Sequence, residues 1–146
     1  MTPPALDVEA CQLKLQLLVD LLADLDRHGD PSAAQLRADR DLRHIMERVL
    51  THLVDVAVSC NGLLARGRAH RRATGYRDSF TLLADTGILD AELVDRLAPS
   101  AGLRNLLTHG YGSIDLDLVA AAVPRARRDF GDYVTAVAAL LREPPD

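Results

Sequence analysis

The sequence predicts an all-α fold, an up-and-down helical bundle with two long helices, short helices in the middle and a long closing helix. Three observations predict it. Apolar residues recur in steps of three and four over long stretches, the spacing that lines one face of a helix. The apolar content comes mainly from Leu, Ala and Val, and the first two are good helix formers. Aromatic residues, which favour sheets, are scarce: no Trp, two Phe and three Tyr. The 146 residues fit one domain spanning 1–146. A chain of that size buries roughly two-thirds of its unfolded surface, so it folds without a disulfide or metal staple.

The first helix is expected over residues 6–27, with Leu6, Ala10, Leu13, Leu17 and Leu21 on one stripe and Leu15, Leu18, Leu22 and Leu25 widening it. Gly29 ends it, and Asp30-Pro31 opens a second helix as a cap followed by proline. That helix is expected to run unbroken over residues 31–64, because Leu42, Met46, Val49, Leu53, Val56, Cys60 and Leu63 form a coiled-coil-like seam. Ile45 and Ala57 broaden the seam enough to cover a neighbouring helix and a second protomer, while Arg37, Arg40, Asp41, Arg48 and Asp55 charge the opposite face. Residues 66–75 have no clear period and read as a helix end plus loop. Short helices follow over about 76–85, from the Asp90 cap, and up to His109, where Gly110 and Gly112 break the pattern. The last helix covers residues 117–141, with Pro124 expected to kink it.

Composition bounds the function classes. The net charge is −4 with His neutral, so contact with nucleic acid requires a local basic surface. Cys11 and Cys60 sit inside helical apolar patterns and read as small buried thiols of a reducing compartment. The first nine residues lack the cationic start of a signal peptide, and no apolar run approaches the roughly 20 residues that span a bilayer. No membrane partner is implied, and the cytoplasm is the expected location.

The stretch that carries chemistry is Leu103-Arg104-Asn105-Leu106-Leu107-Thr108-His109-Gly110-Tyr111-Gly112, an R-x4-H-x-Y pattern at a helix end. Cleaving RNA without a metal needs a group that titrates near neutrality and a fixed positive charge on the phosphate. His109 supplies the first and Arg104 the second. On one helix, positions five apart point about 140° from each other, so two copies across a two-fold axis would bring these groups together better than one. The bland readings are a solvated Arg104, a His109 that serves only as a helix C-cap, and a Tyr111 packed half-buried.

Residues 102–111, followed by Ile114-Asp115, resemble the signature of the HepT family of HEPN proteins. The upstream run Thr74-Gly75-Tyr76-Arg77-Asp78-Ser79-Phe80, with Leu83, Gly87-Ile88-Leu89 and Leu93, is similar to that family's middle segment. The resemblance implies a toxin of a type VII-like toxin–antitoxin pair, a metal-independent endoribonuclease acting as a homodimer or a higher even-numbered oligomer. Arg104 would hold the scissile phosphate, His109 would act as general acid or base, and Asn105 would position the site. A minimal nucleotidyltransferase antitoxin would silence it by transferring AMP to Tyr111, whose flanking glycines leave it exposed. The alternative is a non-catalytic helical adaptor of a nucleotidyltransferase.

Two further clusters of charged residues and histidines stand outside this motif. Arg66, Arg68, Arg71, Arg72 and Arg77 are candidates to track an RNA backbone, or are simply a solvated basic segment. His44, Glu47 and His52 do not share one face, so no metal site is expected, and no cofactor is implied.

Overall fold

The computed structural model describes residues 5–110 and 113–143, and among these every regular element is helical. The first helix, α1 (Val8–His28), starts where the Asp7 carboxylate accepts the Ala10 amide at 3.0 Å. It ends at Gly29, whose φ of 64° lies in the left-handed region. The buried face is not the stripe expected through Leu13 and Leu17. Cys11, Leu15, Leu18 and Leu25 enter the core, while Leu13 and Leu17 remain 63% and 47% exposed. Leucine occurs on nearly every face of α1, so packing against the rest of the bundle decides the orientation, not periodicity.

The expected helix over 31–64 is two helices, α2 (Ala33–Ala38) and α3 (Arg40–Leu64). Ser32, not Asp30, caps α2, in a reciprocal capping box with Gln35. Asp39 then takes an extended backbone (φ −121°, ψ 99°) and its carboxylate accepts the Leu42 amide at 3.1 Å. An aspartate that caps its own downstream helix competes with helix continuation, and here the cap wins. The break lets α2 lie against the last helix as well as against α3. At its far end α3 runs into a π turn (Ala65–Ala69), the helix end expected in this segment, and stops at His70 with φ 54°. Gly67 in that turn is required by close approach: a Cβ there would sit 2.5 Å from Leu6 Cα.

The remaining helices fall where the pattern placed them: α4 (Tyr76–Asp85), α5 (Ala91–Leu97), α6 (Ser100–His109) and α7 (Leu116–Leu141). Pro124 lies on an exposed position inside α7 and supplies no N–H to the ladder. The hub is α3, which packs against α1, α2, α4, α6 and α7. Its Met46, Leu53 and Leu64 are fully buried, as are Leu18 and Leu25 of α1 and Phe80 and Leu83 of α4. Arg127 of α7 staples the end of α1, donating to Asp26 at 2.8 Å, Asp30 at 2.5 Å and the Gly29 carbonyl at 3.1 Å. Among the described residues, no helix is long and apolar enough to cross a membrane. Cys11 and Cys60 are free, buried thiols as expected.

One polar chain crosses this core. The Tyr133 hydroxyl on α7 donates to Asn61 Oδ1 on α3 at 2.6 Å. The Asn61 amide donates to Ser79 Oγ on α4 at 3.1 Å, and Ser79 donates to the Tyr76 carbonyl at 2.7 Å. Asn61 is 0% exposed, so its oxygen has no water to turn to if Tyr133 is removed. Tyr133→Phe should therefore destabilise the fold by about 1–3 kcal/mol, the cost of an orphaned buried acceptor. Urea unfolding checks this, and an unchanged midpoint would show that the relay contributes nothing.

Candidate functional site

The α6 helix has no fully buried residue and rests on the bundle through Leu103, Leu106 and Leu107, all partly covered. It begins after Pro99, and Ser100 Oγ bonds back to the Leu97 carbonyl at 2.6 Å, which joins it tightly to α5. This seating turns Arg104 inward across the bundle surface. Its Nε donates to Asp55 Oδ1 of α3 at 2.9 Å, and its Cζ stands 4.9 Å from the centroid of the Tyr76 ring of α4. The Tyr76 hydroxyl donates to the same Asp55 oxygen at 2.9 Å. Three helices thus meet in one Asp55–Tyr76–Arg104 cluster.

The ion pair is a quarter to a third exposed, 25% for the Arg104 side chain and 32% for Asp55. Pairs that wet contribute only about 0–1 kcal/mol to stability. Its main effect is orientation: the guanidinium is held at Nε and on one face, and the Nη1–Nη2 edge is the part that these two contacts leave unengaged. Among the described residues, no acceptor takes a hydrogen bond from that edge. Arg104 and Asn105 line an open groove with Tyr76, Arg77, Ala101 and Gly102.

His109 is the last residue of α6 and is exposed. Five helical positions separate it from Arg104 by about 7.5 Å along the axis, so the two groups do not converge within one chain. Gly110 follows as the C-cap, and its place is tight: a Cβ there would lie 2.5 Å from the Leu106 carbonyl oxygen. Its missing side chain is what lets the chain turn closely under the end of α6. Tyr111, the expected acceptor of AMP, lies outside the described residues, as does Gly112.

The basic segment divides. Arg66 and Arg72 line a second open groove with Gly62, Thr74, Gly75 and Tyr76. Arg77 belongs to the Arg104 groove, and Tyr76 lines both. Arg68 is turned onto α7, donating to the Leu140 carbonyl at 3.3 Å, so it serves packing as well. Arg71 is exposed beside them. Among the described residues, no three His, Cys, Asp or Glu side chains gather as a metal site would require.

Sequence reasoning missed Asp55 as a member of this site, placing it on the charged outer face of α3, and named Tyr76 only as part of the family-like middle segment. A signal was present: Asp55 is the sole charge in the run Leu53-Val54-Asp55-Val56-Ala57-Val58. Which cation it serves is decided 49 residues away.

With this geometry in hand, the comparisons with known proteins decide the family. The family model "Ribonuclease HepT-like" matches residues 9–137. The chain belongs to the HepT-like ribonuclease family. It is 28% identical over 131 residues to a tRNA nuclease HepT of Aphanizomenon flos-aquae, covering 89% of this chain and 88% of that one. Over 63 residues it is 38% identical to an mRNA nuclease HepT of Shewanella oneidensis, covering 43% of this chain and 47% of that one. Its fold is similar to that of the tri-AMPylated Shewanella oneidensis HEPN toxin in complex with MNT antitoxin. That likeness has a TM-score of 0.80 at 24% identity, with 89% and 97% of the two chains covered. A HEPN toxin is thus an all-α bundle of the kind expected for this HepT-like chain.

Burial and the bond to Asp55 push the Tyr76 hydroxyl above its ordinary pKa, against a smaller opposing pull from Arg104. A raised pKa means the folded chain holds this proton more tightly than the unfolded one. The contribution to stability is complete below about pH 10 and is lost as the pH rises through the folded value. Asp55→Asn should bring the Tyr76 titration down toward its ordinary value. Ultraviolet difference spectra with Tyr76→Phe as the blank check this, and an unmoved titration would mean that Asp55 does not act on the hydroxyl.

Proposed function

We propose that this chain is a metal-independent endoribonuclease toxin, active as a homodimer and silenced by AMP transfer to Tyr111 from a minimal nucleotidyltransferase antitoxin. One observation carries the nuclease reading: in a HepT-like chain, Arg104 lines a groove with its guanidinium held by Asp55 and Tyr76, and the exposed His109 ends the same helix. The names of the relatives agree, one a tRNA nuclease and one an mRNA nuclease.

In the reaction, His109 of one protomer takes the proton of the RNA 2′-hydroxyl, and the freed oxygen forms a bond to the adjacent phosphorus. The bond from phosphorus to the 5′-oxygen breaks, and His109 of the second protomer returns a proton to that leaving oxygen. The products are a 2′,3′-cyclic phosphate and a 5′-hydroxyl end. Arg104 stabilises the extra charge on the phosphorane oxygens, where a preorganised cation in a partly dry site has its largest effect. Asn105, exposed one residue on and lining the same groove, positions the phosphate. Arg66, Arg71, Arg72 and Arg77 draw in the flanking backbone despite the acidic total charge, with Arg68 contributing less because it is tied to α7.

The separation of Arg104 and His109 along α6 favours a dimer, and so does the surface of α1. Leu13 and Leu17 stay exposed there, and Leu17 borders a groove that continues to Asp55, the partner of Arg104. Two neighbouring exposed leucines on one helix face are apolar surface that a second copy would cover, which supports the dimer reading.

The silencing step joins the Tyr111 oxygen to the α-phosphorus of ATP and releases pyrophosphate. An AMP group two residues from His109 adds negative charge and bulk beside the arginines that must receive RNA. The HEPN toxin of similar fold is described as tri-AMPylated and in complex with an MNT antitoxin.

Purified protein should cut cellular RNA in the presence of a chelator, leaving cyclic phosphate ends, with His109→Ala and Arg104→Ala each slower by about 100-fold or more. Leu13→Asp combined with Leu17→Asp should sediment as a monomer and lose cleavage with Arg104 and His109 intact. Cleavage that survives His109→Ala would remove this mechanism. After co-expression with a minimal nucleotidyltransferase, intact-mass spectrometry should find AMP-sized additions that vanish in Tyr111→Phe. Additions that persist in that variant would move the modification elsewhere.

A further inference from the structure

The guanidinium of Arg104 is held at its Nε edge and on one face, and this selects how a phosphate can reach it. The Nε side is occupied by Asp55 Oδ1 at 2.9 Å, and one face by the Tyr76 ring at 4.9 Å. Arginine binds phosphate in a bidentate manner either through Nε and one Nη or through both Nη atoms. Only the second mode is open here.

We propose that Asp55 and Tyr76 are positioning residues for Arg104, which hold its guanidinium so that it meets the scissile phosphate through the Nη1–Nη2 edge; this rests on the ribonuclease reading above. Asp55 is well placed for the task because its own oxygen is fixed from a second side by the Tyr76 hydroxyl at 2.9 Å. Tyr76 is fixed in turn, since Ser79 donates to its carbonyl and Asn61 donates to Ser79 in the closed core. The geometry of the reactive edge is thus transmitted from buried atoms of α3 and α4 to an arginine on the surface helix α6. A carboxylate beside the arginine offsets some of its charge, but it stands at the opposite end of the guanidinium from the incoming phosphate, so repulsion is small against the gain in orientation.

Neither residue touches RNA in this arrangement, so the expected signature differs from that of a binding residue. Asp55→Asn keeps the shape and loses the charge-assisted anchor at Nε. It should lower kcat by about 10-fold to 100-fold, as misplacement of a catalytic group does, with KM for a single-stranded RNA changed by less than about twofold. Tyr76→Phe keeps the ring face and loses only the hydroxyl, so its loss should be a few-fold, about threefold.

The deciding measurement is a double-mutant cycle with Arg104→Lys, whose ammonium has no Nε edge to orient. Asp55→Asn should cost little further in that background, within about twofold, because its effect runs through the guanidinium. Circular dichroism and thermal melts on each variant establish that it is folded. A folded Asp55→Asn enzyme with wild-type kcat overturns the proposal while leaving the ribonuclease reading intact. Losses that multiply fully in the double variant also overturn it, since Asp55 would then act independently of Arg104. Wild-type protein that cuts no RNA would instead sink the ribonuclease reading, and this proposal with it.

Discussion

A single buried amide holds three helices in register. Asn61 accepts from Tyr133 of α7 and donates to Ser79 of α4, and it does so in a core that excludes water. Apolar packing alone is non-directional and tolerates rotation of a short helix about its axis. A fully satisfied polar chain does not, because its buried groups depend on partners at fixed positions and have no solvent alternative. The placement of α4, and hence of Tyr76 beneath Arg104, follows from it.

From that fixed point the construction of the site becomes a matter of who faces whom. The α3 helix contributes Asn61 to the interior and Asp55 to the half-exposed border. On α4, Ser79 points inward while Tyr76, three residues earlier, borders both grooves. The α6 helix buries no residue completely, so the partial cover of its leucines is supplemented by directional contacts to its neighbours. A surface helix steered by a few directional contacts leaves the groove beside Arg104 open.

Charge is distributed to the same end. An acidic total of −4 coexists with arginines collected around two grooves that share Tyr76, so attraction for a polyanion is local. Elsewhere arginines are consumed by structure: Arg127 closes the end of α1, and Arg96 bonds Asp129 at 2.6 Å and Asp132 at 3.0 Å. Counting basic residues would not have separated these duties.

Much of the fold was legible in the residues because helix formation depends on local spacing and on caps. The ends of α1, α4 and α7 were set by Asp7, Gly29, Gly75 and Asp115 within a residue or two of where the pattern put them. The R-x4-H-x-Y core was legible too, since its residues are neighbours in the chain. Three things were not. The division at Asp39 depended on a side chain choosing between two local hydrogen-bonding states, and the face of α1 on which bundle surface it met. The pairing of Arg104 with Asp55 joins residues 49 apart, and only the docking of α6 and α4 on α3 brings them within reach. Sequence by itself determined the helices and the chemical groups at hand. Tertiary structure decided which way the arginine faces, because orientation is a relation between elements that no local pattern encodes.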